Sequence, residues 1–368
     1  FFMALQGYLQ FAPMKTLPPG TYTGGADEIV KNTSKARGEP IDYAIMIVYF
    51  AAILAVGTWF SRNQRTTKDF FFGGQRFSWW LISFSLIATT VGSDSFVKYS
   101  DKGFGFGLSS SQTYLNDWIW FPLLFFGWLP ILYFSRITSI PEYFQRRFDR
   151  RVRLLATLCV LGYLIGYVGV NLFTMGKVLN ALLGWDIPVA AMVVAVISCV
   201  YVTAGGQTSV IMTDLLQGVM LLLTGALILF LAADYLGGFN VVWYHLPREH
   251  RLAFPNFNES ASFPSVGIFW QDGVAGSIGF LFLNQGLIMR FMAAKSVNEG
   301  RKAAAFNVLF ILPISAIVVS NAGWIGKAIS NSIPGALSAD IAPNEVFVSV
   351  ANLIAAPGVF GFVIAALC

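Results

Sequence analysis

Hydrophobic residues along the chain are grouped into long runs that short polar segments separate. Nine runs are long enough to cross a bilayer as helices, which takes about 20 apolar residues. The pattern predicts spans near residues 41–60, 79–99, 114–134, 154–178, 188–204, 209–233, 268–290, 303–326 and 350–368. We therefore expect an all-α polytopic membrane protein.

Two of these runs contain groups that a lipid-facing helix normally lacks. The run that begins at Trp79 carries the stretch LIATTVGSDSF, which places Asp94 among threonines, serines and a glycine. A charge at bilayer depth costs at least about 2.5 kcal/mol, so it usually faces protein or a water-filled cavity. The run GSIGFLFLNQGLIMR likewise holds Ser277, Gly279, Asn284, Gln285 and Gly286.

These polar positions predict breaks in the second and seventh spans. Glycine with polar neighbours loosens a helix and frees backbone carbonyls, and broken helices in matching halves mark the central site of many transporters. Freed carbonyls beside Asp94 suit a dehydrated monovalent cation. A polar seam between packed helices is the alternative for the serines and threonines. Lys98 lies four residues after Asp94, so the two side chains could also pair on one helix face, as a structural link or a gate.

Composition and charge narrow the class of protein. The chain is 56% hydrophobic and 12% charged, which is too apolar for a soluble globular domain. Its net charge of +5 does not indicate nucleic-acid binding, because the basic residues cluster in short loops between apolar runs. The sequence shows no nucleophile–base pair, metal-ligand cluster or phosphate-binding loop, so we do not expect an enzyme.

The positions of lysine and arginine predict the orientation. Cytoplasmic loops are enriched in these residues, which makes one set of alternate loops cytoplasmic and the N-terminus external. These loops hold 14 of the 24 basic residues, namely Arg62, Arg65, Lys68, Arg76, Arg136, Arg146, Arg147, Arg150, Arg151, Arg153, Arg290, Lys295, Arg301 and Lys302. We expect a multi-pass protein of the cell membrane. Because Cys368 lies inside an apolar run, we also expect the chain to be part of a longer protein.

Four stretches of the chain resemble the sodium/solute symporter family, which includes sodium–glucose and sodium–proline carriers. They occur in the family's order and together make the likeness specific. The stretches are DFFFGGQRFSWWLISFSLIATTVGSDSF, SIPEYFQRRF, YVTAGGQTSVIMTDLLQ and NQGLIMRFMAAKSVNEGRKAA.

The resemblance implies a leucine-transporter-type fold of two inverted five-helix repeats, preceded by one extra helix. Residues 1–40 would form an external segment and 41–60 the extra helix. The first repeat would span 79–233, an external loop 234–267, and the incomplete second repeat 268–368. The family couples the downhill movement of Na⁺ to the uphill movement of a small solute.

The resemblance also implies roles for individual residues. The backbone carbonyls of Ala88 and Val91 fall on a central Na⁺ site, whose other ligands would lie beyond residue 368, and Asp94 falls on the acid beside it. Thr213 and Asp214 fall on the cytoplasmic ion-release path, with a structural cap as the alternative. The positions that we expect to contact the solute are Thr90, Ser93, Ser95, Lys98, Ser277, Phe280, Asn284 and Gln285, with Asn116 and Asp117 as further possible contacts.

Several positions depart from the sugar carriers of that family. Thr90 and Ser95 replace an asparagine and a glutamine, and Ser277 and Phe280 replace an asparagine and the gating tyrosine. The sugar-binding lysine falls near Ile311. We therefore expect a small polar or zwitterionic solute, such as an amino acid or a carboxylate, rather than glucose. A sensor domain of the same fold, a proton-coupled carrier and a sodium leak remain open alternatives, and no protein partner is indicated.

Overall fold

The structure is a computed structural model that describes residues 39–61, 66–252, 264–337, 341 and 345–367. The described residues form helices joined by short turns, which confirms the all-α prediction. Most of the predicted external segment 1–40 lies outside these residues.

The first third of the chain contains the extra helix and a broken helix. The extra helix is α1, Pro40–Ser61. A short helix, α2 (Thr67–Phe72), begins with a capping box between Thr66 and Asp69 and ends at Gly73 in the left-handed conformation. The predicted span 79–99 is divided into α3 (Trp79–Thr90) and α4 (Ser93–Phe106), and the two halves meet at an angle of 64°.

The next predicted span is a chain of short helical segments. It starts with a 3₁₀ turn at Gly107, where φ is positive at 66° and the His250 backbone leaves no room for a Cβ atom. Prolines and a π-helical turn interrupt regular α-helix along this segment. Its parts are Gly107–Ser111, α5 (Gln112–Leu115), Asn116–Ile119, α6 (Phe121–Leu123), Leu124–Trp128 and α7 (Leu129–Phe134).

Long helices complete the first half of the chain. Helix α8 (Ile140–Arg147) is amphipathic, and α9 (Arg150–Leu183) begins with the Asp149 carboxylate accepting from the Val152 amide at 2.8 Å. The predicted spans 188–204 and 209–233 form the two arms of α10 (Ile187–Leu236), which are separated at Gly206, where φ 53° and ψ −157° are not helical. Helix α11 (Phe239–His245) and a 3₁₀ turn (Glu249–Arg251) follow within the predicted external loop.

The helices in the second half of the chain are interrupted as well. Helices α12 (Ser265–Ile268) and α13 (Ser277–Leu283) flank a π-helical segment, Phe269–Gly276, and the run breaks at Asn284 before α14 (Gln285–Met292). Helices α15 (Val297–Phe306) and α16 (Leu312–Ser332) are joined by a π-helical turn, Asn307–Ile311. The last predicted span is two short helices, α17 (Val346–Ile354) and α18 (Val359–Leu367).

Among the described residues, five helices qualify as membrane spans by length and composition, and the bent pair that begins with α3 and α4 makes a sixth. This is fewer than the nine predicted runs, because several runs are interrupted or shorter in the structure. Helix α4 packs closely on α16, where a Cβ atom on Gly323 would lie 2.0 Å from the Ser100 carbonyl oxygen. The proposed division into repeats stays a prediction.

The arginine-rich loops gather at one end of the helices, which we call the basic face. The Trp79 amide donates to the Glu299 carboxylate at 2.9 Å, and the Phe77 amide donates to the Ala293 carbonyl at 3.3 Å. A separate apolar cluster lies at the same end and contains Leu132, Ile137, Ile140, Ile288 and Met292. The loops after α2, α7 and α14 are thus packed into one unit.

Candidate functional site

The break between α3 and α4 frees a backbone carbonyl. Val91 (φ −117°, ψ 111°) and Gly92 (φ −126°, ψ −177°) are both extended, so the helical hydrogen-bond ladder stops there. In an unbroken helix the Gly92 amide would donate to Ala88, but here the Ser95 hydroxyl is its partner, at 3.5 Å. The carbonyl of Ala88 therefore lacks its helical donor and can serve as a cation ligand.

Asp94 lies in the first turn of α4, next to this break. It faces Thr174 of α9, whose hydroxyl is 3.5 Å from one carboxylate oxygen. That hydroxyl is also 2.9 Å from the Val170 carbonyl, which can only accept, so its single proton is used there. Asp94 is thus left without a strong partner among the described residues.

The predicted ion pair between Asp94 and Lys98 is not formed. The Lys98 side chain is exposed, and its ammonium nitrogen lies 5.2 Å from the centre of the Tyr99 ring. No ion pair joins it to Asp94 among the described residues. The first turn of α4 directs Asp94 toward α9 instead.

The threonine and serine positions near the break have different surroundings. The Thr90 hydroxyl donates back to the Leu86 carbonyl at 3.0 Å, while the Thr90 carbonyl accepts from Tyr114 at 3.3 Å. Ser95 is buried beside Gly92. Ser93 begins α4, and its side chain lies outside the described part of the chain.

The second broken helix brings Ser277 to the same region. Its hydroxyl contacts the Asp117 carboxylate, which lies on the segment after α5, and the Asp272 carbonyl at 2.8 Å. Phe280 lies one turn further and is partly buried. Asn284 forms the break itself, with φ −75° and ψ 106°, and its side chain accepts from the Leu287 amide at 3.2 Å to begin α14.

These residues lie well inside their helical segments. Asp94, Asp117 and Ser277 are 10 to 12 residues from the ends of their segments at Phe106, Gly107 and Ser265. At about 1.5 Å per residue this is about 15–18 Å, or half of a hydrocarbon core of about 30 Å. We call this group, together with Ala88, the mid-membrane site.

Gln285 lies apart from that site, although the sequence predicted a solute contact. Its amide oxygen accepts from the Ile140 amide at 3.0 Å, and its amide nitrogen donates to the Thr138 carbonyl at 3.2 Å. Both ends of the side chain are therefore used by the loop before α8, at the basic face.

Asp214 belongs to a second polar group between the mid-membrane site and the basic face. Its carboxylate accepts from the Ser85 hydroxyl at 2.5 Å and from Arg290 Nε and Nη2 at 3.1 and 2.9 Å. Arg290 Nη1 also donates to the Gly286 carbonyl at 2.9 Å. We call Ser85, Asp214 and Arg290 the three-residue lock, because it joins α3, α10 and α14.

Thr213 does not take part in this lock. Its hydroxyl is fully buried and donates to the Ser209 carbonyl of its own helix at 3.0 Å. The role of Thr213 and Asp214 in ion release stays a prediction.

Sequence reasoning missed several residues that complete the two groups. Thr174 and Tyr114 contact the broken helix from segments 24 to 80 residues away, which no local pattern could reveal. Arg290 could have been found from the sequence, because it ends an apolar run. An arginine at the end of a membrane-spanning run usually needs an acidic partner.

The sequence is similar to known transporters. The family described as SSF, the sodium:solute symporter family, matches residues 70–368. A sodium/glucose cotransporter of Vibrio parahaemolyticus is 28% identical, over 82% of this chain and 60% of its own length. The sodium/sialic acid symporter SiaT of Proteus mirabilis is 29% identical, over 77% of this chain and 58% of its own length. A sodium/glucose cotransporter 4 of Danio rerio is 27% identical, over 89% of this chain and 50% of its own length. The chain thus spans between half and three fifths of these relatives.

The fold is similar to a solved transporter structure. A Na⁺-coupled sialic acid symporter in a substrate-bound outward-open state superposes with a TM-score of 0.80 at 25% identity. The match covers 89% of this chain and 69% of the other. It confirms the fold class expected from the resemblance.

Proposed function

Because the chain belongs to the sodium:solute symporter family, we propose that it carries a small polar solute across a membrane together with Na⁺, by alternating access. The observation that carries the proposal is the mid-membrane break beside Asp94. It combines the Ala88 carbonyl, which lacks its helical donor, with the Asp94 carboxylate, which has no strong partner among the described residues. Oxygen ligands and one negative charge suit a dehydrated sodium ion.

The proposed sodium ligands are the carbonyls of Ala88 and Val91, with the Asp94 charge close by. Sodium bound there would fix the angle between α3 and α4. Since α4 carries Ser93, Ser95 and Lys98, the same bend would order groups that face the solute. Each ligand would then raise the affinity for the other by the same factor.

The proposed solute site lies between the two broken helices, on the side of the breaks that faces away from the basic face. It includes the backbone of Thr90 and the side chains of Ser95, Ser277 and Phe280, with Asn284 at the second break. Gln285 is left out, because its amide is bonded to the loop before α8. Ser93 and Lys98 remain proposed contacts at the edge.

We propose that the basic face is cytoplasmic and the N-terminus external. The loops at that face are packed together, and the three-residue lock lies between them and the mid-membrane site. The described conformation is therefore closed toward the cytoplasm. One sodium charge entering with the membrane potential supplies about 2.3 kcal/mol per 100 mV for solute accumulation.

The proposal is tested by linked binding of Na⁺ and solute. The full-length protein is purified in detergent, and its thermal stability is measured across a panel of small polar solutes in Na⁺ or in K⁺ at equal ionic strength. A solute that stabilises only in Na⁺ is the expected result. Solute binding that is the same in both salts would favour the sensor or the proton-coupled carrier.

Asp94→Asn sharpens this test. Removing the charge is expected to raise the Na⁺ concentration at half-saturation by about tenfold, which corresponds to about 1.4 kcal/mol. Asp101→Asn is the matched control, because Asp101 lies on the same helix and contacts the adjacent Lys102 at 3.8 Å. Equal sodium affinity in both variants would count against Asp94 as part of the ion site.

A further inference from the structure

Two neighbouring carboxylates, that of Asp117 in the mid-membrane site and that of Asp272 beside it, form no ion pair among the described residues. Asp117 contacts only the Ser277 hydroxyl, and the Asp272 carboxylate has neither a hydrogen bond nor an ion pair among the described residues. The Ser277 hydroxyl contacts both the Asp117 carboxylate and the Asp272 carbonyl, so the two acidic residues lie side by side. Both side chains are partly buried.

The charges of this group do not balance. The charge of Lys98 attracts Asp272, but its ammonium nitrogen lies over the Tyr99 ring and forms no ion pair within 4 Å among the described residues. When all three groups are ionised, two acids and one lysine leave one negative charge. An uncompensated charge in a site of low polarity is costly, and a bound cation removes that cost.

A buried amide without a partner lies beside the two acids. The Asn116 side chain is 9% exposed, and its amide nitrogen has no hydrogen-bond acceptor among the described residues. It lies at the contact between the two segments that carry the acids, since a Cβ atom on Gly273 would be 2.9 Å from Asn116 Cβ. A donor left open next to two carboxylates fits a solute that brings its own acceptor as well as a positive charge.

Aromatic rings form another side of the same region. Tyr99 and Tyr114 lie with ring centres 5.1 Å apart, and the Trp120 indole nitrogen donates to the Gly273 carbonyl. The Tyr99 ring already lies under one ammonium group, that of Lys98. Aromatic faces attract ammonium groups by cation–π interaction.

We propose that the transported solute carries an ammonium group that binds between Asp117 and Asp272, with Asn116 donating to an acceptor on the same solute. This rests on the proposed transport function and specifies the solute as a cationic or zwitterionic amine. Ser277 orients the Asp117 carboxylate toward the ammonium group. Neutral sugars lack the charge that this arrangement requires.

The test compares solutes that differ only in charge. Choline is paired with 3,3-dimethyl-1-butanol, and L-proline with cyclopentanecarboxylate, within a wider panel of amines and their uncharged or deaminated partners. Thermal stability of the purified full-length protein is measured with each solute in saturating Na⁺. At least one amine is expected to stabilise the protein when its partner does not. If no amine does so, or if a neutral sugar binds, the proposal is wrong.

Substitutions then identify which carboxylate binds the ammonium group of the solute. Asp117→Asn is expected to weaken binding of the amine about tenfold or more, and Asp272→Asn by less, because Lys98 shares that carboxylate. If Asp117→Asn folds poorly, Ser277→Ala tests the same site, because it removes the hydroxyl that contacts the Asp117 carboxylate and should also weaken amine binding. Asp101→Asn is the control. Unchanged amine affinity in Asp117→Asn would overturn the assignment.

Other occupants give distinct results. If Asp117→Asn abolishes the sodium-induced shift in the absence of solute, the acids hold Na⁺ instead. If acidification alone strengthens binding of neutral solutes, Asp117 holds a proton instead. Amine binding that does not depend on sodium would contradict the proposed symport and support the amine site. Sodium-linked binding of a sugar would support the symport and contradict the amine site.

Discussion

Asp214 and Asp94 are both acids inside membrane-spanning helices, but their surroundings differ. The Asp214 carboxylate receives two hydrogen bonds from Arg290 and one from Ser85. Asp94 has a single 3.5 Å contact with a hydroxyl that already donates elsewhere. The first acid is satisfied by the protein, and the second is left for something that the protein binds.

The same distinction separates the two polar layers. Around the three-residue lock, Gln285 and Glu299 are also bonded to backbone amides of other segments. In and beside the mid-membrane site, Asp117 and Asp272 form no ion pair among the described residues. Buried charges are paired or bind ligands, so we interpret the lock as a closed gate and the other layer as the site that it closes.

The largest expected effect follows from breaking the lock at Arg290. Arg290→Gln leaves Asp214 buried without a cation, which typically costs about 3–5 kcal/mol. Thermal stability in detergent should fall strongly, and sodium-driven uptake into proteoliposomes should be lost. Adding Asp214→Asn should recover part of the stability, because the unpaired charge is then removed.

Arg147→Gln is the matched control, since Arg147 is an exposed arginine at the end of α8. It should change neither stability nor uptake. If the effects of Arg290→Gln and Asp214→Asn are simply additive, the two residues are not coupled and the lock is not a unit.

A smaller effect is expected at Gln285. Gln285→Met keeps the size of the side chain but removes its bonds to Thr138 and Ile140, at a cost of about 1–2 kcal/mol. If these bonds hold the cytoplasmic side closed, the outward-facing fraction falls, and the apparent dissociation constant for external Na⁺ rises by up to about thirtyfold. Sodium titration of uptake measures this shift. A change in stability with unaltered sodium affinity would make Gln285 a packing residue only.

Local sequence patterns were informative about where helices break. Gly92 among polar residues predicted the division of the second span, and Asn284 in its polar stretch that of the seventh. The sequence pattern separated the fifth and sixth spans at residues 205–208, and the structure has its non-helical residue, Gly206, in that interval. Breaks depend on backbone conformation, which neighbouring residues largely determine.

Pairing across the fold could not be predicted in the same way. The sequence placed Lys98 one turn from Asp94, but the carboxylate faces Thr174, 80 residues away. It also grouped Gln285 with Asn284, although their side chains bond to different segments. Adjacent residues on a helix point in different directions, so only the packing of the helices decides which of them reaches the site.

The smallest effect concerns Glu142, an acid at the basic face that has partners but is close to solvent. Burial raises the pKa of Glu142, but hydrogen bonds from Thr138 and the charge of Arg146 outweigh it and hold the pKa below its ordinary value. The unfolded chain therefore takes up the proton first as pH falls. The stabilisation is present above the ordinary carboxyl pKa of about 4.3 and is lost as pH drops through the lower folded value.

Glu142→Gln should accordingly reduce stability by about 0.2–1 kcal/mol near neutral pH, the range for partly exposed ion pairs. The difference from the unsubstituted protein should shrink when melting is measured near pH 4. Glu345→Gln, at an exposed acid, is the control. If Glu142→Gln instead abolished uptake as Arg290→Gln is expected to do, paired acids near solvent would matter as much as the buried lock. The contrast between the two layers would then not depend on burial.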